Sequence, residues 1–433
     1  MRDIAPVFSA VRRLGAVACA AVLLTGCQTF LPYTNDARVP TPVVVADGSA
    51  ERTALNARVY DSAVNWVGQW FYKRDFGGID WRAETTARRD AAVAQPTERD
   101  FYRSLNETLD LLGDRHTSAT TPTRHRERAL ERLEPTPNLG FSMRRIDGQL
   151  IVTSIRPGGP ADLAGVQLGW RADRLNGEPV SPTSSLDKTL DVQVVVFTDG
   201  QDVEHEVSMP VVPLPPYLGD AVRRADGVLV LSFDYFAPAT RRWFDDQMRA
   251  AAADPPKGIV IDLRDNSGGY IHDVGRALAH FFPDRQPYAW IDVGYLPRSP
   301  YRTRPPRDVW TGPVAVVIAD GSASGAEVFA ATFQETGRGP VFGLKSIGAV
   351  IASRQLLLPD GGELSIGVRS FRSGAGNVLE GVGVTPDHEI QFRVDDLRQG
   401  RDAMIEAAAG AVLAALQMNR YTAATSTVDP SVL

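Results

Sequence analysis

The sequence of 433 residues contains few lysines, histidines and cysteines, which limits the metal sites, disulfides and catalytic bases that it can form. No basic block accompanies the formal net charge of −6, which argues against general nucleic-acid binding. The six histidines are scattered without the spacing of metal ligands and no cysteine pair accompanies them, so neither a metal nor another cofactor is implied. The four lysines, whose scarcity bears on the choice of a catalytic base, are Lys73, Lys188, Lys257 and Lys345.

An apolar run lies near the N-terminus. Residues 14–24 follow Arg12 and Arg13 and have the length of the central region of a signal peptide, too short to span a membrane. The stretch ends in residues 24–27 (LTGC), which resemble a bacterial lipobox, where the cysteine is diacylated and becomes the first residue of the mature chain. The sequence therefore predicts lipidation of Cys27. A plain secretory signal followed by a coincidental cysteine is the alternative.

A signal peptide over residues 1–27 has consequences for redox chemistry and location. Cys19 would be removed with it, so no internal disulfide could form. Gln28 follows the cysteine where aspartate would favour the inner membrane, and by resemblance to enterobacterial sorting rules this favours the outer membrane. Residues 28–48 are rich in Pro, Thr and Asp and predict a tether. We expect a bacterial cell-envelope protein on the periplasmic side, held by its lipid anchor.

Helical patterning dominates residues 49–133. Thr97-x-x-Asp100 is typical of a capping box and precedes apolar residues at helical spacing, and Gly113 suits the end of that helix. His116 lies on the loop that follows, which makes it a candidate functional residue, with an ordinary surface histidine as the alternative.

Short strands and turns follow over residues 134–214, including a strong hairpin signal at residues 176–177 (NG). Their order resembles a PDZ domain, a class that binds an extended peptide C-terminus by strand addition and holds its carboxylate with backbone N–H groups. A small β-barrel without a ligand is the alternative. The residues that match the carboxylate-binding loop are Leu139, Gly140 and Phe141.

Residues 215–420 alternate buried strands with helices and predict an α/β core. Two strand–turn–helix units follow each other, one with the paired glycines Gly268 and Gly269 in its turn and one with Ser324 at the start of its helix. Backbone N–H groups at such turns can hold an oxyanion. Residue chemistry alone leaves an acyl-transfer site and a site for a small anion both open.

Three motifs, in order around the predicted PDZ domain, carry a specific resemblance. Residues 262–269 (DLRDNSGG), Ser324-x-x-Glu327 and residues 380–387 (EGVGVTPD) together resemble the C-terminal processing (tail-specific) peptidase family, which includes the tricorn core peptidase and a retinoid-binding-protein-like branch. The resemblance covers roughly residues 50–395. It implies an N-terminal helical segment, a PDZ domain and a peptidase core of the crotonase and Clp-protease type.

The resemblance also implies site residues. The nucleophile falls on Ser324, and the oxyanion amides fall on the turn of Gly268 and Gly269 and on Gly325. Family members of the plant and bacterial type carry a lysine base past the serine, but that position is Ala349 here.

Another residue must then act as the base. Tricorn-like members use a histidine oriented by a glutamate, and these match His116 and Glu380, although Arg115 stands where tricorn has a serine, so a four-member tetrad is not supported. Lys345, His272 or the absence of any base are the alternatives.

The sequence as a whole predicts a lipid-anchored periplasmic serine endopeptidase whose PDZ domain recruits or gates polypeptide substrates. Two other functions remain open. The missing lysine also fits a binding module on a degenerate peptidase scaffold, and the PDZ domain fits a scaffold that presents substrates to another protease. No signal in the sequence indicates the oligomeric state or the natural substrate.

Overall fold

The computed structural model describes residues 41–133, 137–181, 190–214, 217–291, 300–306 and 308–426. Cys27 and the predicted signal peptide lie outside these ranges, as does most of the predicted tether. No helix within the described residues is both long enough and apolar enough to cross a bilayer.

Ten α-helices and nineteen strands are found in the described part of the chain. The helices are α1 Ala50–Trp70, α2 Trp81–Val93, α3 Glu98–Leu109, α4 Pro122–Leu133, α5 Pro160–Leu163, α6 Pro238–Ala253, α7 Ile271–Ala279, α8 Gly325–Thr336, α9 Val394–Arg398 and α10 Ala403–Ser426, and a 3₁₀ turn spans Asp110–Leu112. The strands are β1 Ser118–Thr120, β2 Pro137–Asn138, β3 Phe141–Ile146, β4 Gln149–Ile155, β5 Arg171–Leu175, β6 Glu178–Pro179, β7 Val192–Thr198, β8 Glu204–Pro210, β9 Val212–Pro213, β10 Asp220–Arg223, β11 Val228–Ser232, β12 Gly258–Asp262, β13 Pro287–Ile291, β14 Tyr301–Arg302, β15 Val314–Ile318, β16 Val341–Gly343, β17 Ile351–Leu357, β18 Glu363–Ser373 and β19 His388–Glu389.

The chain divides into two compact units. Among the described residues, the first comprises those from 41 to 133 together with 353–368, and the second comprises those from 137 to 352 together with those from 369 to 426. The sequence did not predict that residues 353–368, from within the predicted core, group with the helical segment.

In the first unit, amphipathic helices pack around an apolar core. The side chain of Thr97 accepts the N–H of Asp100 at 3.1 Å, so the predicted cap of α3 is confirmed. Strand β1 pairs antiparallel with the start of β18, with Ser118 opposite Ser365. The largest fully buried side chains of this core include Tyr60, Phe101, Leu55, Leu105 and Leu109, and residues 353–368 contribute Leu358, Leu364 and Ile366.

The second unit begins with a β domain, which we define as residues 137–214. Its antiparallel sheet has the order β3-β4-β5-β7-β8, so that β3 forms one edge. Asn176 and Gly177 both have positive φ and form the two-residue turn between β5 and β6, as the hairpin signal predicted.

The rest of the second unit is an α/β core. Its six-stranded sheet has the order β10-β11-β12-β15-β16-β19, in which β10 is antiparallel to β11 and the other neighbours are parallel. Apolar residues alternate between the two faces, because successive side chains of a strand point in opposite directions. Leu229 and Leu231 pack in the cluster that includes α6, α7 and α8, whereas Val228 and Val230 pack against α10. The prediction of a multidomain α/β protein is confirmed, and the PDZ and crotonase types stay predictions.

This topology fixes where a ligand can bind. Strands β12 and β15 are parallel neighbours, and each is followed by a turn and a helix. Their two turns therefore meet at the carboxyl edge of the sheet, where open α/β sheets bind their ligands.

Candidate active site

The turn after β15 leads to Ser324 and is fixed to the neighbouring strand. The fully buried Ser322 donates its hydroxyl to the carbonyl oxygen of Leu263 at 2.7 Å and accepts the N–H of Ala319 at 3.0 Å. Because Leu263 directly follows β12, this hydroxyl joins the ends of two parallel strands.

Ser324 adopts a backbone conformation that is rare for a residue with a side chain. Its φ is 51° and its ψ is −110°, immediately before α8. Such a conformation costs about 1–3 kcal/mol and persists only when surrounding contacts impose it. In α/β-hydrolases, a strained serine between a strand and a helix is the geometry that exposes a nucleophilic hydroxyl. The helix N-terminus behind it favours negative charge.

The turn after β12 approaches Ser324 closely because it contains two glycines. Gly268 has φ 102° and Gly269 has φ 132°. A Cβ on Gly268 would lie 2.6 Å from the Cβ of Ser324 and 2.8 Å from the nitrogen of Gly325, so a side chain at this position would collide with Ser324. The predicted glycine pair is thus required by close approach as well as by positive φ.

Asn266 fixes the glycine turn through hydrogen bonds of its side chain and main chain. Its side chain is fully buried, donates from Nδ2 to the carbonyl oxygen of Phe233 at 3.0 Å and accepts the N–H of Gly268 at 2.9 Å. Its main-chain oxygen accepts the N–H of Ala323 at 3.0 Å, which ties the glycine turn to the serine turn. The N–H of Gly268 is therefore already engaged.

Two amides beside the serine remain able to bind an oxyanion. Within the described residues, no acceptor is found for the N–H of Gly269 or of Gly325. A Cβ on Gly325 would lie 3.4 Å from the nitrogen of Gly269, so the two residues are adjacent. Gly269 and Gly325 are thus the donors that this geometry offers, whereas Gly268 supplies the close approach.

A concave space of about 230 Å³, open to solvent, lies directly beside the serine. It is lined by Gly269, Ile271, Ser324, Gly325, Val328, Val350 and Phe371. Apart from the serine hydroxyl its side chains are apolar, and such a lining favours an apolar group over a charged one.

Glu327 lies one turn into α8 and is fully buried. Burial raises the pKa of its carboxyl above the ordinary value, and hydrogen bonds from four donors act against that rise because they favour the ionised form. One donor is the backbone N–H of Ser324, at 2.9 Å from Oε2. The sequence motif contained Glu327, but no role was predicted for it.

Glu380, the predicted orienting glutamate, is half-buried and accepts the N–H of Val350 through Oε2 at 2.7 Å. The residue before Val350, Ala349, donates its own N–H to Glu327. Glu380 and the backbone of Ser324 are therefore connected through consecutive residues of one segment.

The two alternative bases in the second unit, Lys345 and His272, are both exposed. Lys345 is exposed, whereas a lysine serves as a base at neutral pH only when it is desolvated. His272 is exposed in the first turn of α7, with its ring 5.4 Å from that of Tyr301. Within the described ranges, no three His, Cys, Asp or Glu side chains form a group that could hold a metal ion.

His116 belongs to the first unit, on the turn between the 3₁₀ helix and β1. Its carbonyl oxygen accepts the hydroxyl of Ser365 at 2.9 Å. The next residue, Thr117, donates to the buried Asp114 at 2.5 Å and accepts the N–H of Gly367 at 3.1 Å. The main chain on both sides of the half-buried imidazole is thus fixed, and the assignment of His116 as base stays a prediction.

The predicted carboxylate loop of the β domain lies directly before β3. Leu139 is buried and its carbonyl oxygen accepts the N–H of Ala161 at 2.9 Å. Gly140 has φ 77° and donates its N–H to Asn138 at 2.7 Å. Phe141 begins the edge strand β3. Peptide binding by this loop stays a prediction.

Arg144, on the edge strand β3, contacts both active-site turns, which the sequence did not predict. Its guanidinium donates to the carbonyl oxygen of Arg264 at 2.6 Å and forms ion pairs with Asp265, in the glycine turn, and Asp320, in the serine turn. Its side chain is only 12% exposed, whereas those of Asp265 and Asp320 are 55% and 72% exposed, so the two ion pairs reach solvent. The β domain thereby contributes a residue that holds the two turns together.

The α/β sheet, the strained Ser324 and the adjacent amides of Gly269 and Gly325 together form a candidate site for a serine nucleophile. Residues 227–390 match the sequence profile of Peptidase family S41. The predicted resemblance to C-terminal processing peptidases is confirmed.

Similar proteins come from distant organisms. Tricorn protease homolog 1 of Streptomyces coelicolor is 27% identical over 421 residues, which are 89% of this chain and 38% of that protein. The chloroplastic carboxyl-terminal-processing peptidase 2 of Arabidopsis thaliana is 25% identical over 352 residues, which are 75% of this chain and 67% of that protein. The chain thus spans from little more than a third to about two thirds of the length of these curated relatives.

A solved structure shares the fold. The photosystem II D1 C-terminal processing protease superimposes with a TM-score of 0.56 at 20% identity, over 81% of this chain and 98% of that one. At this identity the likeness establishes the fold alone.

Proposed function

We propose that this chain is a lipid-anchored serine endopeptidase of the bacterial cell envelope that cleaves polypeptides through an acyl-enzyme on Ser324. The observation that carries the proposal is the strained Ser324 beside the adjacent amides of Gly269 and Gly325. An S41 domain over residues 227–390 supports it.

The proposed mechanism has two steps that share one base. The Oγ of Ser324 adds to the scissile carbonyl while His116, oriented by Glu380, takes the hydroxyl proton. The N–H groups of Gly269 and Gly325 stabilise the oxyanion. His116 then gives the proton to the leaving amine as the C–N bond breaks, and water releases the acyl group by the same route. The apolar cavity beside Ser324 accommodates the substrate side chain next to the scissile bond.

A fluorophosphonate probe tests this proposal directly. The wild-type protein is expected to be labelled covalently at Ser324, and Ser324→Ala is expected to lose all labelling, because the probe reacts only with an activated serine. Ser267→Ala is the matched control, since Ser267 is an exposed serine of the glycine turn and its loss should leave labelling unchanged.

A second candidate function follows from Ala349, which stands where the family's lysine base is expected. On that hypothesis the chain is a degenerate peptidase scaffold that binds polypeptides or presents them to another protease. Wild-type protein that binds peptides but is neither labelled nor active on any unfolded substrate would establish this candidate and exclude the peptidase.

We further propose that the β domain binds the free C-terminus of a polypeptide on its edge strand β3, at the loop of residues 139–141. A peptide with an apolar C-terminus should bind the full chain more tightly as the free acid than as the amide, because the loop's backbone donors recognise a carboxylate. Titration calorimetry on Ser324→Ala, which cannot consume the peptide, measures the difference. Equal affinities for the two forms would remove carboxylate recognition from the mechanism.

The membrane anchor is proposed on the lipobox that ends at Cys27. One acyl chain binds a membrane only marginally, whereas two or more anchor a protein stably. Cys27→Ala is expected to shift the protein from the membrane fraction to the soluble fraction of cells, as measured by immunoblotting after fractionation. Cys19→Ala is the control, since Cys19 lies within the predicted signal peptide. Unchanged membrane association of Cys27→Ala would contradict lipidation.

A further inference from the structure

The carboxylate of Glu327 is fully occupied by hydrogen bonds. Oε1 accepts the hydroxyl of Ser346 at 2.6 Å and the N–H of Gly348 at 2.7 Å. Oε2 accepts the N–H of Ser324 at 2.9 Å and that of Ala349 at 2.8 Å. A carboxylate offers about four lone-pair sites, so none is left for a proton in flight or for a substrate group. Its role is therefore to hold its donors rather than to react.

These donors make Glu327 the contact that fixes the nucleophile's backbone. The unusual φ of Ser324 needs an external restraint, and the bond from its N–H to a buried, fully desolvated carboxylate supplies one. Charge-assisted hydrogen bonds of this kind are roughly twice as strong as neutral ones. The same bond occupies the N–H of Ser324, which leaves oxyanion binding to other amides.

The other donors to Glu327 lie on the segment 346–350. The last residue of this segment, Val350, donates its N–H to Glu380. The N–H of Ala349 donates to Glu327 and the N–H of the next residue, Val350, donates to Glu380. Consecutive backbone amides therefore bind the two carboxylates. Ser346 accepts the N–H of Val384 at 2.7 Å, so the segment is tied to the chain beyond Glu380 as well.

We propose that Glu327 is a positioning residue that holds Ser324 in its reactive backbone conformation and, through the segment 346–350, fixes Ser324 relative to Glu380. This inference rests on the proposed peptidase function and adds a residue to it. Ala349 takes part through its backbone N–H alone, so a chain with alanine at this position can still keep its nucleophile aligned.

Glu327→Gln tests the proposal, with Glu335→Gln as the matched control. Glu335 lies on the same helix α8 and also accepts three hydrogen bonds, but from donors that have no link to Ser324, namely Ser373, Ala375 and Asn377. The amide introduced at position 327 would present a donor group to N–H donors, which releases the serine backbone. We expect Glu327→Gln to lower kcat about 10²-fold or more with KM changed less than about threefold, since a misplacement of about 1 Å has this effect. Glu335→Gln should change kcat less than about threefold.

Three further measurements separate positioning from plain stability. The rate of fluorophosphonate labelling should fall by the same factor as kcat in Glu327→Gln. The Tm of both variants, which should fall more in Glu327→Gln because Glu327 is fully buried, must stay above the assay temperature. Ser346→Ala, which removes one donor and keeps the carboxylate, should lower kcat by about tenfold and serves if Glu327→Gln does not fold. Near wild-type kcat in a folded Glu327→Gln, or equal losses in both glutamine variants, overturns the proposal. An unlabelled wild type would instead refute the peptidase function itself.

Discussion

Replacing His116 with alanine is expected to lower kcat by about 10⁴-fold or more, because the members of a catalytic triad act as one unit. The ordinary pKa of an imidazole is about 6.5, so it is available as a base at neutral pH. The ordinary pKa of a lysine is about 10.4, so a lysine must be strongly desolvated to act as a base. Lys345 is exposed, so Lys345→Ala should change kcat little. Glu380→Gln should give an intermediate loss. Hydrolysis of an unfolded polypeptide by the purified variants, beside Ser324→Ala, measures all four.

His116→Ala keeps the hydrogen bonds of the local backbone, so a loss of activity would report on the missing imidazole. The bond from Ser365 reaches the carbonyl oxygen of His116, and Thr117 keeps its bonds to Asp114 and Gly367. Thermal unfolding of His116→Ala is measured beside its activity as the control for folding. Near-normal turnover of His116→Ala together with an inactive Lys345→Ala would reverse the assignment and restore a displaced serine–lysine dyad.

Replacing Gly268 with alanine should abolish most activity without any change in the reacting groups. The added Cβ would meet the Cβ of Ser324 at 2.6 Å and the nitrogen of Gly325 at 2.8 Å, so nucleophile and oxyanion donor must both move. Loss of one oxyanion donor alone costs about 10²–10³-fold in kcat, and we expect at least this factor. Steady-state hydrolysis and the rate of fluorophosphonate labelling measure it.

Gly376→Ala separates the collision from the strain of positive φ. Gly376 has φ 91°, close to the 102° of Gly268, but a Cβ there would meet nothing within 4 Å. Gly376→Ala should lower the free energy of unfolding by about 1–2 kcal/mol through strain alone, and Gly268→Ala should lower it by more because of the added collision. Only Gly268→Ala should lose activity. If the two variants lose activity alike, backbone strain rather than contact with Ser324 explains the glycine.

The sequence predicted the parts of the site that depend on local signals. The bounds of α8 follow from Ser324 before it and Gly337 after it, and the glycine pair lies in the predicted turn. Such features depend on residues within one turn or one helix, where propensity and capping act.

Interactions between segments that lie far apart in the sequence could not be predicted from local patterns. Arg144 lies 176 residues before Asp320, and nothing in a strand pattern indicates that its guanidinium reaches the serine turn. Glu327 was visible in its motif, but its role depends on donors from residues 346–349, which only the fold brings to it. The grouping of residues 353–368 with the helices could not be predicted either, because it depends on packing between distant segments.

That grouping has a practical meaning for dissecting the protein. A recombinant fragment cut at the apparent boundary, residues 215–420, would carry Leu358, Leu364 and Ile366 away from the apolar side chains that bury them in the first unit. Newly exposed apolar surface of this kind promotes aggregation. Removing residues 353–368 in favour of a short flexible connection, or expressing the chain from residue 41 onward, should give soluble material where the simple truncation precipitates. The second unit is interrupted in sequence by residues 353–368, so its minimal form is defined by packing and not by two ends of the chain.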